Sequence, residues 1–121
     1  MKTHKDLIVW QKSINFVTRI YEETKSFPKE EIYGLVSQLR RAAVSIPSNI
    51  AEGAARNTDK EYARFLFIAR ASASEIETQL IIAENLNFNT NKEGNYQLRK
   101  ELLEISKMLT ALINRIQQRI K

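Results

Sequence analysis

The segment Gln38 to Gly53, QLRRAAVSIPSNIAEG, holds a proline, two serines and an asparagine, yet its apolar residues keep helical time. Leu35, Leu39, Ala43, Ile46, Ile50 and Ala54 recur at intervals of three and four on both sides of Pro47. That spacing puts them on one helix face. A strand would need a period of two, so this stretch commits the chain to helix and requires the helix to carry a proline. Arg41, Ser45, Ser48 and Glu52 form a narrow polar stripe on the far side, with Asn49 beside it. Proline removes one backbone hydrogen bond and crowds the preceding turn, so a kink at Pro47 is expected. The rival reading breaks the helix there and restarts it with Asn49 as cap and Glu52 at the capping-box position. The unbroken register favours a kinked, continuous helix.

Three more segments carry the same period. Leu7, Trp10, Ile14, Val17 and Tyr21 define a first helix over about Asp6 to Lys25, with Asp6 as N-cap and Pro28 as its stop. The second helix is expected from Lys29 or Glu30 to Arg56, Glu30 and Glu31 suiting the positive end of its dipole. After a polar link at Asn57, Thr58 or Asp59 caps a third helix reaching Leu86. Its core face is Tyr62, Leu66, Ala69, Ala73, Ile76, Leu80 and Ala83. Residues 87–95, NFNTNKEGN, read as a loop. The fourth helix then runs to the C-terminus on a stripe of Leu98, Leu102, Ile105, Leu109, Leu112, Ile116 and Ile120. The expected fold is a single all-α domain over residues 1–121, an antiparallel up-down four-helix bundle.

The apolar surface exceeds what one bundle core can cover. Phe65, Leu66, Phe67 and Ile68 are consecutive and sweep most of a helix circumference, as Ile81 and Ile82 begin to do further on. Leu7 to Trp10 repeats the pattern in the first helix. Phe67, Ile81, Ile82 and Ile8 are therefore candidates for an interface between copies, and a homo-oligomer is expected.

The 121 residues carry 19 Lys and Arg against 14 Asp and Glu, a net charge of +5. A basic balance favours polyanion partners. The cations cluster: Arg56, Lys60 and Arg64 stand four apart across the second link, and Arg99, Lys100, Lys107, Arg115 and Arg119 lie along the fourth helix. These eight are the candidate nucleic-acid contacts, suited to phosphates rather than to base readout. Most aromatics (Trp10, Phe16, Tyr21, Tyr62, Phe65) fall on or beside core stripes; Tyr33, Phe88 and Tyr96 lie where they can be exposed. The stripe of Arg41, Ser45, Ser48, Asn49 and Glu52 reads as a structural polar network that reaches Glu75 or Glu77 on the third helix.

No enzyme is expected. His4 is the sole histidine, there is no cysteine, and the three glycines cannot be drawn into a phosphate-cradling loop. No catalytic residue, metal or cofactor is therefore assigned. No segment approaches the roughly 20 apolar residues of a membrane span. A cytoplasmic location without membrane contact is expected.

Three motifs give a family likeness: Asp6-Leu7-x-Val9-Trp10-Gln11; Leu39-Arg40-Arg41-Ala42-x-x-Ser45-Ile46-x-x-Asn49-Ile50-Ala51-Glu52-Gly53; and Ala71-x-x-Ser74-x-x-Glu77-x-x-x-x-Ile82-Ala83. Together the chain resembles the bacterial four-helix bundle proteins named after 23S ribosomal RNA intervening sequences. Related proteins serve as accessory subunits of diversity-generating retroelements. The resemblance implies a pentamer, a nucleic-acid role with RNA or DNA, and contact with a reverse transcriptase or another protein. The competing expectation is a purely structural or protein-interaction oligomer whose charge serves solubility.

Overall fold

Four helices, and no strands, make up the described part of the chain: α1 (Ile8–Thr24), α2 (Leu35–Ala54), α3 (Asp59–Asn85) and α4 (Lys92–Gln118). The computed structural model describes residues 2–89 and 91–120. Each helix packs against the next, and α1 closes the ring against α4. Residue numbers rise along one helix as they fall along its neighbour. Gln38 and Ser45 of α2 meet Gln79 and Ser72 of α3, and Lys12 and Arg19 of α1 meet Glu104 and Glu101 of α4.

The core holds the expected faces of α2, α3 and α4, but α1 buries Val9, Ser13, Phe16 and Ile20, one position back from the expected stripe, whose Ile14 and Tyr21 are 39% and 40% exposed. Leu39, Ala43, Ile46 and Ile50 of α2 are buried, and α2 runs through Pro47 without a break. Leu66, Ala69, Ala73, Ile76, Leu80 and Ala83 of α3 meet Leu98, Leu102, Ile105, Leu109, Leu112 and Ile116 of α4 in one cluster. Burying a side chain of this size is worth roughly 1.5–3 kcal/mol, so these layers dominate the stability. Tyr62 is only partly buried against the cluster, and Ile120 lies exposed beyond the end of α4.

Several helix ends differ from expectation. Asp6 does not cap α1. It closes a capping box with Thr3 in a short 3-10 turn, His4–Asp6, and α1 starts two residues later behind Leu7. The second helix does not begin at Lys29. Lys29–Glu31 forms its own 3-10 turn, and α2 begins after Gly34. The Glu31 carboxylate then accepts from the Leu35 backbone N–H at 3.1 Å, filling the place of an absent side-chain cap. The helix ends at Ala54 rather than Arg56.

At the end of α3, Asn87 adopts φ of 60°, the left-handed conformation that asparagine tolerates. Phe88 N–H reaches the Ala83 carbonyl at 2.9 Å and Asn87 N–H reaches Glu84 at 3.0 Å, a Schellman motif. Phe88 then packs on the core, its ring 6.0 Å from Phe27, instead of lying open. The loop expected over residues 87–95 is shorter. Asn91 caps α4 through the Gly94 N–H at 3.0 Å, and Gly94 and Asn95 are buried inside the helix. Asn95 donates to Glu84 at 2.7 Å.

Candidate nucleic-acid interface

The link between α2 and α3 is short because the two helices approach closely where they meet. A Cβ on Gly53 would stand 2.9 Å from Phe65 Cβ and 3.0 Å from Tyr62 Cδ1. Only glycine allows that approach without a shift, so Gly53 seats Tyr62 and Phe65. Thr58 caps α3 by accepting from Glu61 N–H at 3.2 Å. Arg56 and Arg64 then converge on one ring, each guanidinium carbon 4.7 Å from the Phe65 centroid. Arg56 also pairs with Glu52 at 2.9 Å and Arg64 with Glu61 at 3.2 Å. These exposed ion pairs add little stability, typically under about 1 kcal/mol. Their effect is to fix where the guanidinium groups stand.

The end of α4 comes to the same pole, where Arg119 binds Asp59 at the start of α3. The start of α1 arrives there too. Leu7, Tyr62, Leu112, Arg115, Ile116, Gln118 and Arg119 line one open cleft of about 490 Å³. Arg56, Lys60, Arg64, Arg115 and Arg119 stand here with Glu52, Asp59 and Glu61, each of these carboxylates paired with one of the arginines. At the opposite end Glu22, Glu23, Glu30, Glu31, Glu84 and Glu93 stand among Lys25, Lys29, Lys92 and Arg40, with Arg99 and Lys100 further along α4.

Five of the eight candidate cations thus come together: Arg56, Lys60, Arg64, Arg115 and Arg119. Arg99 and Lys100 do not join them. They line a separate cleft of about 350 Å³ with Tyr96, Leu103 and Glu77. Sixteen residues of α4 separate Arg99 from Arg115, about 24 Å of helix. Lys107 stands exposed between the two sites. Among the described residues, Lys60 and Arg115 make no ion pair, which leaves their charge available.

Tyr62 joins the basic pole to the core. Burial raises its phenol pKa above the ordinary value, while the nearby Arg119 and Arg115 act against that rise. Arg119 is held more firmly protonated by its hydrogen bonds to Asp59.

The polar stripe of α2 forms a smaller network than expected. Ser45 and Ser72 hydroxyls meet at 2.9 Å, and Asn49 donates to the Ser45 carbonyl and hydroxyl. Arg41, Ser48 and Glu52 are outside it. Glu52 turns to Arg56 because that residue lies one turn on, and Arg41 is exposed with no ion pair among the described residues. Glu75 accepts from Gln79 at 3.0 Å instead of meeting an arginine. Ser48 faces a largely apolar cleft of about 370 Å³ between α1 and α2, lined also by Trp10, Ile14, Val44 and Pro47. Sequence reasoning missed this cleft, because Ile14 was assigned to the apolar stripe of α1 whereas it and Val44 are open to solvent. It also missed how Arg40 is held, its Nε on Thr24 Oγ1 at 3.0 Å and its guanidinium 4.6 Å from the ring of the half-open Tyr21.

The apolar interface candidates are open in the single chain: Phe67 is 39% exposed, Ile81 38%, Ile82 42% and Ile8 60%. The first three, with Ile68, line the outer face of α3; Ile8 lies apart, in a cleft at the basic pole. Tyr33 and Tyr96 are exposed. Among the described residues no group of three or more His, Asp or Glu is arranged to hold a metal ion, and no helix is long and apolar enough to cross a membrane.

A family model described as 23S rRNA-intervening sequence protein matches residues 5–111. No curated protein matches the chain. Among solved structures, the chain is similar to a protein of unknown function from the S23 ribosomal protein family of Bacteroides thetaiotaomicron, 26% identical, with a TM-score of 0.80 over 88% of this chain and 96% of that one. The match over nearly the whole bundle and the helical architecture agree, and the chain belongs to the 23S rRNA-intervening sequence protein family.

Proposed function

We propose that this chain is a non-enzymatic, self-associating helical bundle that binds RNA or DNA through its basic pole. The observation that carries this reading is the convergence of Arg56 from the α2–α3 link, Lys60 and Arg64 from α3, and Arg115 and Arg119 from the end of α4 onto one end of the molecule. Cations gathered on one surface neutralise neighbouring phosphates together and release their counterions. The family's link to ribosomal RNA insertions supports the same direction.

The test is binding of mixed-sequence RNA and DNA across a range of salt. The expected result is a log affinity that falls linearly with log salt, each neutralised phosphate adding about 0.7 to 0.9 to the slope. A flat profile, or no binding at low salt, rejects the reading.

A second reading, an oligomer that acts only on proteins, is favoured by the outer face of α3. Phe67, Ile68, Ile81 and Ile82 leave apolar surface in water that a second copy would cover. Both readings share self-association, with a pentamer as the assembly the family likeness suggests. Sedimentation at micromolar concentration that shows monomer alone rejects it for both.

A further inference from the structure

The basic pole is not a flat charged surface. Its cleft of about 490 Å³ has an apolar floor of Leu7, Leu112 and Ile116, one aromatic wall, Tyr62, and Arg115 and Arg119 at its edge. A second hollow of about 280 Å³ adjoins it, lined by Ile8, Val9, Met108 and Asp6. The two share Leu7, Leu112 and Arg115. Arg115 therefore stands between two adjoining hollows, exposed and without an ion pair among the described residues.

Phosphate binding alone needs none of this apolar floor. Small-ligand sites commonly occupy about 300 to 1,000 Å³, and these hollows fall within that range or just below it. Asp59 stands near Tyr62, and both its oxygens are taken by Arg119. The larger hollow thus faces two guanidinium groups against one carboxylate. Asp6 in the smaller hollow already accepts from Thr3 N–H at 2.8 Å. Its charge disfavours a phosphate there but suits an amino group on a base edge.

We propose that this pole seats two successive nucleotides of a single strand, one base in each hollow, with the linking phosphate on Arg115. The inference rests on the nucleic-acid reading above and narrows it to unpaired strands. In a duplex the base faces are stacked against each other and cannot enter an apolar hollow; in a single strand they are free to do so.

The test compares strands of about twelve nucleotides, in RNA and in DNA, with a duplex and with abasic strands of equal length that keep every phosphate and lose the bases. Anisotropy is measured at about 50 and 200 mM salt. The base-carrying single strand is expected to bind roughly tenfold or more tightly than the abasic one, given the usual worth of a seated base. Arg115→Gln should weaken both strands and lower the salt slope by about one, whereas Tyr62→Ala, which removes the aromatic wall of the larger hollow, should erase most of the difference between them. Lys60→Gln should weaken both strands equally. Circular dichroism checks that each variant keeps its helical content.

Equal affinity for base-carrying and abasic strands, with the salt slope retained, overturns the two-base site and leaves phosphate binding standing. Absence of salt-dependent binding to any strand takes both down.

Discussion

Arg119, one residue past the end of α4, grips Asp59 at the start of α3 with two nitrogens, Nε at 3.2 Å and Nη2 at 2.7 Å from the carboxylate oxygens. The pair joins two helix ends that are 60 residues apart in the chain. The arginine is open to solvent, so Arg119→Gln should leave the midpoint of denaturant unfolding nearly unchanged. Its charge is also largely spent on Asp59. Arg115→Gln should therefore weaken nucleic-acid binding more than Arg119→Gln, and equal losses would show that the ion pair does not matter to the ligand.

Gly53→Ala sets two effects against each other. Alanine gains up to about 1 kcal/mol of helix propensity over glycine. Its Cβ, however, would press on Phe65 Cβ at 2.9 Å, and 3.1 Å away is the Tyr62 carbonyl, which is backbone and cannot swing aside. Overpacking of this kind costs about 1–3 kcal/mol. The expected outcome is net destabilisation together with weaker binding at the basic pole, read by thermal unfolding and by anisotropy.

The Tyr62 phenol should ionise above the usual tyrosine range. Burial is the main cause, and Arg119 and Arg115 oppose it. Its proton is bound more tightly in the folded chain than in the unfolded one. The associated stability is thus fully present below the ordinary value of 10.0 and is lost as pH rises through the folded value. Arg115→Gln removes one of the opposing charges and should move the phenol higher still, measured by ultraviolet titration.

Glu104 behaves in the opposite sense. Its hydrogen bond and ion pair with Lys12 at 2.9 Å lower its pKa below the carboxylate norm. The linked stability is present above 4.5 and fades as pH falls through the folded value. Lys12→Met should bring Glu104 back towards its ordinary titration in a carbon-detected NMR experiment.

Asn87 holds a positive φ at the end of α3, where glycine carries no steric penalty. Asn87→Gly should leave stability unchanged or raise it by a few tenths of a kcal/mol, whereas Asn87→Ala should lower it by about 1 kcal/mol. A melting temperature that rises for alanine would contradict this account of the cap.

Periodic burial was legible in α2, α3 and α4 because it repeats along a helix, whereas in α1 the apolar residues outnumber the buried positions and the stripe through Ile14 and Tyr21 lies one position off the buried one. The faces led by Leu66 and Leu98 needed no knowledge of their neighbours. Helix ends were harder, since their causes lie elsewhere in the chain. The start of α2 depends on Glu31 reaching forward to the Leu35 N–H. The asparagine-rich stretch before Leu98 has a loop-like composition, yet Asn95 is buried inside α4 by its bond to Glu84. The binding candidates divide for a related reason. Helical spacing identified Arg115 with Arg119, and Arg56 with Lys60 and Arg64, but only the packing of α3 against α4 unites the two groups. Arg99 and Lys100 were placed with them because one helix carries both sets, and a helix of 27 residues is long enough to serve opposite ends of the molecule.

That length has an electrical consequence. At a rise of 1.5 Å per residue, α3 and α4 each extend about 40 Å, whereas ions in physiological salt damp a charge within about 8 Å. The cations gathered at one end are thus hidden from the charges at the other, and the whole-chain figure of +5 describes neither end. A nucleic-acid strand drifting nearby would sense only the end it meets, drawn to the tip where Lys60 and Arg115 stand without an ion pair among the described residues. Its approach would be oriented before any contact forms.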